Sequence, residues 1–287
     1  SLFLLLLFIT FSFQINLDSF SNPHWDSIAK DLCAREHYGI PDMNCYIYRI
    51  YLFPVKVEVR STAPPLVVLK HFIPKNYIRG FLKEIREREL EEQGVVDVVS
   101  GEKVPSPGRN ANGTRLGHYE TTTSSKIFNL IQQRIAAIDF RRAENYSVLS
   151  YNPGGHYAPH YDYIPFKNEE QEKKCEMNKK YGNRFLTFLF ILQTAKMGGA
   201  TVFPLLHSTI KPEKGDAIMW LNMDTNYSVE GRSLHAACPI LEGTKIAATL
   251  WVRRMGQELL MPCHENGAYD LKDIFYPSEK KLLLKRD

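Results

Sequence analysis

Two histidines and one aspartate are the residues of this sequence that could bind a metal ion together. His160 and Asp162 lie two positions apart in the stretch HYAPHYDY, and His235 follows in SLHAACP. On a β-strand, residues two positions apart point to the same face. Two imidazoles and one carboxylate on neighbouring strands form the facial triad that binds non-haem Fe(II) and leaves coordination positions open. A His-x-Asp pair alone is usually an ordinary polar pair, and zinc could use the same ligands, so other residues must decide.

Lys245 is the residue that favours iron with a chelating co-substrate. It follows His235 by ten positions, beyond the turn at Glu242-Gly243. The period of two on a strand places it on one face with Ala247, Thr249 and Trp251. A lysine in such an apolar run is rarely buried without a partner. It is either a solvent-facing lysine of an edge strand or the partner of an anion, and a dicarboxylate reaching from the iron fits the second alternative.

Short strands must position these residues. After residue 145 the chain reads as strands rich in aromatic and β-branched residues, separated by Pro-Gly-Gly and Gly-Gly turns: YSVLSY, HYAPHYDY, RFLTFLFIL, TVFPLL, DAIMWLN, SLHAACPI and TKIAATLWV. Many short strands with turns between them indicate a sandwich or barrel. The charged segment 166–183 interrupts them and is predicted to be a solvated loop.

Helices and further strands precede this region. Residues 52–72 predict two strands joined at Ala63-Pro64-Pro65. Apolar residues at helical spacing predict helices over 74–93 and over 124–138, the second with Ser124 as its N-cap. Helices followed by a run of strands predict a mainly β fold with flanking helices (α+β), a jelly-roll core buttressed by N-terminal helices.

The N-terminal run SLFLLLLFITFSF carries no charge. It is typical of the apolar part of a secretory signal and is short for a bilayer span, which needs roughly 20 residues. We expect residues 1–20 to be a signal peptide or, alternatively, a signal anchor. Only the anchor would make the membrane a partner. The net charge of +4 is too small to indicate binding to nucleic acid or to an anionic membrane surface.

Cysteines and glycosylation sequons fit secretion. Three Asn-x-Ser/Thr sequons stand at Asn112, Asn145 and Asn226. The five cysteines form no CxxC motif, which argues against a zinc ribbon. In an oxidising compartment, Cys33 with Cys45 and Cys238 with Cys263 are plausible local bridges, which leaves Cys175 unpaired.

The chain resembles the catalytic region of the collagen prolyl 4-hydroxylase α subunit. The resemblance is dense from about 145 to 263 and looser back to about 30, where LCAREH and NCYIYRI resemble a cysteine pair of that family. The motifs that carry it are YNPGGHYAPHYDY, GNRFLTFLFIL, GGATVFP, KGDAIMW, HAACPILEGTK and RRMGQELLMPC. That family consists of Fe(II)- and 2-oxoglutarate-dependent dioxygenases with a double-stranded β-helix core, so the resemblance implies this fold and chemistry.

The resemblance also implies the roles of individual residues. His160, Asp162 and His235 would bind iron, and Lys245 would bind the distal carboxylate of 2-oxoglutarate. Tyr151 and Thr187 would assist Lys245, whereas Tyr157 and Trp251 would bind the prolyl substrate. Strict alternation along the strand conflicts with the role of Tyr157, because it would place that residue on the face opposite His160. Cys238 and Cys263 match the second disulfide of the family in their spacing.

The resemblance implies an organisation as well. Residues 21–51 would be a lead-in bracketed by Cys33 and Cys45, 52–265 the prolyl 4-hydroxylase-like dioxygenase domain and 266–287 a C-terminal tail. The family suggests protein disulfide isomerase as a partner and ascorbate as the reductant that rescues oxidised iron. Residence in the lumen of the endoplasmic reticulum would require a retained partner or the N-terminal anchor, because KKLLLKRD is no KDEL-type signal.

The function expected from the sequence is 4-hydroxylation of peptidyl proline in the secretory pathway. Fe(II), O₂ and 2-oxoglutarate would be consumed in a reaction that releases succinate and CO₂, and the substrate would be collagen-like or another secretory protein. Two alternatives stay open at this point. One is an oxygenase of the same fold that acts on lysyl side chains or a small molecule, and the other is a non-catalytic jelly-roll subunit that binds collagen-like chains.

Overall fold

The computed structural model describes residues 24–35, 44–50, 53–96, 103–166, 168–257, 269 and 271–275. The segment 1–20, expected to be a signal peptide or anchor, lies outside these residues. Among the helices that are described, none has both the length and the apolar character needed to cross a bilayer.

Most of the described chain consists of short antiparallel strands. They are β1 (Asn44–Ile50), β2 (Phe53–Thr62), β3 (Pro65–Lys70), β4 (Glu91–Glu92), β5 (Val95–Val96), β6 (Lys103–Val104), β7 (Arg109–Asn110), β8 (Asn112–Leu116), β9 (Tyr146–Tyr151), β10 (His156–His160), β11 (Arg184–Gln193), β12 (Met197–Gly198), β13 (Thr201–Phe203), β14 (Ser208–Ile210), β15 (Ala217–Leu221), β16 (His235–Ala237), β17 (Ile240–Glu242) and β18 (Lys245–Arg253).

Helices accompany these strands. They are α1 (Ser27–Ala34), α2 (Lys75–Arg86), α3 (Thr122–Arg134), α4 (Glu169–Lys174), α5 (Glu176–Tyr181) and α6 (Leu271–Phe275). The N-cap of α3 is Thr121 rather than the predicted Ser124. Ser124 is instead the third helical residue, and its side chain completes a reciprocal capping box with Thr121.

The segment 166–183 is not the loop that the sequence predicts. Its described part forms α4 and α5, two short helices. Two exposed ion pairs at i,i+4 spacing join Lys173 to Glu169 and Lys174 to Glu170 along α4. Such pairs support a helix by a few tenths of a kcal/mol each, so a charged segment can be helical without packing against a core.

The larger sheet has nine strands in the order β1-β2-β3-β15-β11-β18-β9-β8-β4. At its centre β18 pairs with β11, where Trp251 lies opposite Thr187, and with β9, where Lys245 lies opposite Tyr151. Directly paired residues point to the same side of a sheet. The alternation along β18 therefore sends Lys245, Ala247, Thr249 and Trp251 to one side of the sheet and the residues between them to the other.

The smaller sheet has five strands in the order β14-β13-β16-β10-β7. It packs face to face against the larger sheet through a cluster of large apolar residues. The larger sheet supplies Leu66, Val68, Ile218 and Trp220 to this cluster, and the smaller one supplies Phe203 and Ile210. Two facing antiparallel sheets give the sandwich of jelly-roll type that the sequence predicts, and the mainly β character with flanking helices is confirmed.

The main core lies on the other side of the larger sheet, beneath α2 and α3. Phe81 of α2 and Phe128 of α3 are fully buried there with Phe188 and Phe190 of β11. Truncation of such a phenylalanine to alanine typically costs 3–5 kcal/mol, so this layer holds the sheet in place. Within the segment 266–287, expected to be a tail, Ile274 of α6 is fully buried in this core.

A disulfide joins Cys33 of α1 to Cys238, the residue after β16. It fixes α1 to the smaller sheet, where Leu32 packs with Val202 and Ala236. The expected local bridge between Cys33 and Cys45 is therefore wrong. The two residues are close in sequence but lie in different parts of the fold: Cys33 is on α1, which covers the smaller sheet, whereas Cys45 is exposed and unpaired on β1 at the edge of the larger sheet.

The expected pairing of Cys238 with Cys263 is wrong as well, because Cys238 is bonded to Cys33. Cys263 itself lies outside the described residues. Cys175, expected to be unpaired, is free and partly exposed. Spacing along the chain misled both assignments because the fold brings residues together that are 205 positions apart.

We predict that Cys33→Ser lowers the free energy of unfolding by about 2–5 kcal/mol, because the bridge closes a long loop and restricts the unfolded chain. Cys238→Ser should have the same effect, and the double variant should lose no more. Cys45→Ser is the matched control, with an expected change below about 0.5 kcal/mol. Denaturation measures these values, and recovery of a Cys33–Cys45 peptide in non-reducing mapping would contradict the bridge.

Candidate active site

A cavity lies between the two sheets, and the predicted site residues converge on it. The smaller sheet contributes His160 of β10 and His235 of β16, which lie opposite each other in adjacent strands. The larger sheet contributes Lys245 and Trp251 from β18 and Tyr151 from β9. The cavity therefore collects side chains that are far apart in sequence because each belongs to a strand that faces the interior of the sandwich.

His160, Asp162 and His235 form a compact group whose ligand atoms all lie within 4.8 Å of one another. The Nε2 atom of His235 is 3.6 Å from Oδ2 of Asp162, and the Nε2 atom of His160 is 3.9 Å from Oδ1. Asp162 and His235 are buried, and His160 is partly buried. Among the described residues, this is the group of histidine, cysteine and carboxylate side chains that could hold a metal ion.

The hydrogen bonds of the two imidazoles fix which nitrogen faces the cavity. His160 Nδ1 lies 2.8 Å from the carbonyl oxygen of Ala158, and His235 Nδ1 lies 2.9 Å from that of Ser233. A carbonyl oxygen only accepts, so each Nδ1 carries a proton and donates it. Each Nε2 then has a free lone pair, as a metal ligand requires. Burial and the neighbouring His235 also hold the pKa of His160 well below its usual value, which favours the neutral imidazole.

Asp162 is prepared as an ionised ligand. Burial alone would raise its pKa, but the neighbouring His235, His160 and Arg184, together with the hydrogen bond from Thr187, outweigh that effect and leave the pKa below its usual value. The Thr187 hydroxyl donates to Oδ2 of Asp162 at 2.7 Å and accepts from the Asn222 side-chain amide at 2.9 Å. Such outer hydrogen bonds orient a ligand carboxylate. Two neutral imidazoles and one carboxylate are the donor set of non-haem Fe(II) sites, so the residues fit this metal.

Alternation along one strand does not explain how the site is assembled. β10 ends at His160, and Asp162 follows in a bend. The pairing of β10 with β16 shifts register between Tyr157 and His160, which marks a bulge. As a result the Tyr157 ring stacks on the His160 ring, with 3.4 Å between centroids, although strict alternation places the two on opposite faces.

Lys245 is 4% exposed and lies in the cavity, not at a solvent-facing edge. Its ammonium donates to the carbonyl oxygen of Gly199 at 2.7 Å and lies 3.4 Å from the hydroxyl of Thr201. Burial lowers its pKa from 10.5 to about 8. No described carboxylate forms an ion pair with it, so this cation is compensated only by neutral groups.

Two residues with hydroxyl groups line the cavity together with Lys245. Tyr151 lies directly opposite Lys245 in the β9–β18 pair, and burial raises the pKa of its phenol to about 12. Its hydroxyl therefore stays protonated and can donate to an anion. Thr201 of β13 is the second, and the sequence analysis missed it. The Gly-Gly turn before it was visible, but only the fold shows that this turn meets β18.

The expected place of Thr187 beside Lys245 is wrong. Thr187 lies opposite Trp251, six residues from Lys245 along β18. At about 3.3 Å per residue the two positions are about 20 Å apart along the strand. The hydroxyl of Thr187 is engaged with Asp162 and Asn222 instead.

Trp251 forms the opposite end of the cavity with an arginine that the sequence analysis did not single out. The guanidinium carbon of Arg184 lies 3.8 Å from the centroid of the Trp251 ring. Arg184 also donates two hydrogen bonds to Glu144, at 2.7 and 3.0 Å. The indole nitrogen of Trp251 is buried and has no hydrogen-bond partner among the described residues. Trp251 thus presents an aromatic face, which the Arg184 guanidinium holds in place, and an indole N–H that donates to no described residue.

The asparagines of the three sequons are exposed in the structure. Asn112 begins β8, Asn145 precedes β9 and Asn226 lies in the turn after Asp224. Exposure is what glycosylation requires, and their use stays a prediction.

Comparison with known proteins agrees with this geometry. Residues 146–253 match the family model of the 2OG-Fe(II) oxygenase superfamily. The chain is 33% identical over 215 residues to prolyl 4-hydroxylase subunit alpha-1 of Gallus gallus, which covers 75% of this chain and 40% of the relative. It is 30% identical over 243 residues to prolyl 4-hydroxylase subunit alpha-1 of Caenorhabditis elegans, an alignment that covers 81% of this chain and 42% of the relative. The chain therefore spans about two fifths of the length of these curated relatives.

A solved structure shows the same fold. The viral collagen prolyl hydroxylase of Paramecium Bursaria Chlorella virus-1, in its complex with 2OG, has a TM-score of 0.50 and 24% identity and covers 66% of this chain and 96% of its own. Fe(II) and 2-oxoglutarate are the cofactor and co-substrate of the superfamily that residues 146–253 match. Residues 146–253 therefore match an oxygenase domain of the 2OG-Fe(II) oxygenase superfamily, and the chain is similar to prolyl 4-hydroxylase α subunits over 75% of its length.

Proposed function

We propose that this protein hydroxylates C4 of proline residues in peptide substrates, using Fe(II), O₂ and 2-oxoglutarate. The observation that carries the proposal is one cavity that holds both the His160–Asp162–His235 group and the buried, uncompensated cation of Lys245. A metal-binding jelly roll without co-substrate chemistry has no need for that lysine. The related prolyl 4-hydroxylase α subunits support proline as the target.

In this proposal the iron is held by the Nε2 atoms of His160 and His235 and by a carboxylate oxygen of Asp162. Bound there, the iron supplies the activation of O₂ that couples decarboxylation of 2-oxoglutarate to hydroxylation. Thr187 keeps the Asp162 carboxylate oriented through its hydrogen bond. The protein contributes fixed ligands and a buried site from which water is largely excluded.

Lys245 pairs in this proposal with the distal carboxylate of 2-oxoglutarate. Tyr151, which lies opposite Lys245 in the sheet, and Thr201, whose hydroxyl is 3.4 Å from the ammonium, would donate to the same carboxylate. The product succinate keeps this carboxylate, so the same groups release it at the end of the cycle.

Tyr157 and Trp251 bind the substrate in this proposal. The pyrrolidine ring of proline is apolar and packs well against aromatic faces, and the free indole N–H of Trp251 can donate to a peptide carbonyl. Collagen-like sequences are one class of such substrates. Because the chain spans about two fifths of its curated relatives, the capture of long chains and a disulfide isomerase partner belong to this proposal only as hypotheses.

Residence in the lumen of the endoplasmic reticulum completes the proposal. The Cys33–Cys238 bridge and the exposed sequon asparagines support an oxidising, glycosylating compartment. Ascorbate would serve there to reduce iron that is oxidised in turnovers without substrate.

The first prediction concerns the metal. His160→Ala, Asp162→Ala and His235→Ala should each abolish succinate release, because the iron loses one of three protein ligands. They should also weaken binding of Fe(II), titrated under anaerobic conditions by calorimetry. His207→Asn is the control, since His207 is exposed and asparagine tolerates its positive φ of 46°. Near-normal turnover in a folded triad variant would overturn the metal assignment.

The second prediction concerns Lys245. Breaking a buried ion pair from one side costs about 3–5 kcal/mol, which corresponds to at least about a hundredfold in affinity. Lys245→Ala should therefore raise the KM for 2-oxoglutarate at least a hundredfold while Fe(II) still binds. Lys245→Arg should keep part of the activity, since the charge remains but the planar group fits poorly. Lys196→Ala, an exposed lysine near the same turn, should change KM less than twofold. The same small change in Lys245→Ala would refute the assignment.

The third prediction concerns pH. Because the pKa of Lys245 is lowered to about 8, the ammonium loses its proton above that pH and with it the attraction for a carboxylate. The KM for 2-oxoglutarate should be constant from pH 6.5 to 7.5 and should rise about tenfold per pH unit above 8. In Lys245→Arg this rise should vanish, since arginine stays charged. A flat wild-type profile up to pH 9.5 would contradict the prediction.

A further inference from the structure

Four arginines gather at the end of the cavity that Trp251 occupies, and we call them the arginine cluster: Arg109, Arg115, Arg184 and Arg253. The Arg184 guanidinium stacks on Trp251 at 3.8 Å, and that of Arg115 lies 5.2 Å from the same ring. The guanidinium of Arg109 lies 4.6 Å from the ring of Tyr157. The cluster therefore borders the place where the proposed function puts the peptide.

One carboxylate serves most of this cluster. Glu144 binds Arg184 through two hydrogen bonds and Arg253 at 2.7 Å, and Arg115 is third at 3.7 Å. Asp162 lies nearby, but its charge belongs to the metal site. Four cations against one carboxylate leave a net charge of about +3 at this end of the cavity.

Two arginines of the cluster, Arg184 and Arg253, are engaged in this network, although the Nε atom of Arg253 is buried without a partner among the described residues. Arg184 donates to Glu144 and to the backbone oxygen of Asp162, and Arg253 donates to Glu144 and to the carbonyl oxygen of Gly182. Both are held within the network and have little capacity left for a ligand.

Arg115 and Arg109 have unused capacity. The Arg115 side chain is 51% exposed and donates no hydrogen bond to any described residue. Arg109 donates to the carbonyl oxygen of Gly94, but its Nε atom is buried without a partner in the described part of the chain. Unsatisfied guanidinium donors beside a binding cavity fit a carboxylate, which a guanidinium binds with two parallel hydrogen bonds.

The sheet register directs Arg115 toward the cavity. Arg115 of β8 lies opposite Ser147 of β9, which lies opposite Thr249 of β18. Directly paired residues share a face, and Thr249 lines the cavity. Arg115 therefore stands on the rim beside Trp251.

We propose that Arg115, assisted by Arg109, binds an aspartate or glutamate of the peptide substrate within about three residues of the target proline. The protein would thus select acidic proline-containing segments over neutral ones. This inference rests on the proposed function and adds a substrate class to it. The two arginines favour an acidic side chain, and the aromatic rings between them and the iron site favour proline. The occupant is therefore an acidic peptide that contains proline.

A peptide series tests the inference. Each peptide carries one proline and either glutamate, glutamine or lysine at one position from −3 to +3. Hydroxylation is followed by the mass increase of the peptide, and kcat/KM is compared at low and high salt. Binding of the same fluorescently labelled peptides is measured by anisotropy in parallel, so that recognition is read independently of turnover.

At the best position, the wild-type protein should prefer glutamate over glutamine about tenfold in kcat/KM and in affinity. The preference should shrink at 0.5 M salt, because screening weakens a partly exposed charge pair. In Arg115→Gln the ratio should fall below twofold, Arg115→Lys should restore part of it, and Arg115→Glu should prefer lysine. Arg35→Gln, an exposed arginine on α1, should keep the wild-type ratio.

The outcomes separate this inference from the proposed function. If proline peptides are hydroxylated with equal efficiency whether glutamate or glutamine is present, the inference is overturned and the function stands. If no peptide is hydroxylated, the proposed function fails, and anisotropy decides the inference: a glutamate preference lost in Arg115→Gln supports it, and equal binding overturns it.

Discussion

The pairing of β18 between β9 and β11 is the constraint on which the rest of the site depends. One register places Lys245 opposite Tyr151 and Trp251 opposite Thr187. A slip by one residue would exchange the two faces of β18 and send both side chains into the apolar layer beneath the helices. The helix layer enforces the register, because Ala248, Leu250 and Val252 must face it.

The two ends of β18 bury positive charge in different ways. At one end, burying the Lys245 cation without a carboxylate costs about 3 kcal/mol at neutral pH, from its pKa of about 8. An arriving dianion can recover that free energy. At the other end, positive charge is shared among several arginines around Glu144, so the network holds Trp251 in a fixed orientation before any ligand binds. The core beneath the sheet supplies the stability that both arrangements require.

The sequence predicted the residues whose position follows from local periodicity. Lys245 lies on the alternating strand β18 and reaches the cavity; His160 and His235 reach it as well, although the register of β10 shifts before His160. The expectation for Thr187 was wrong because a local pattern predicts the face on which a residue lies but not which residue of a neighbouring strand it lies opposite. The position of Tyr157 depends on a bulge that alternation does not predict. The position of Thr201 depends on which strands pair in the fold. The disulfide was missed for the same reason, since its two cysteines meet only through the tertiary fold.

The bridge between Cys33 and Cys238 also imposes an order on biosynthesis. During vectorial synthesis Cys33 emerges 205 residues before its partner, which takes about 10–40 s at typical elongation rates. Throughout that interval the nearest available thiol is Cys45, only twelve positions away. In an oxidising compartment a wrong local crosslink has the kinetic advantage, and the strand that carries His235 can be fastened to α1 only after thiol–disulfide exchange undoes it. If the protein matures in the endoplasmic reticulum, as proposed, formation of its native bridge would depend on the redox catalysts of that compartment as well as on the fold.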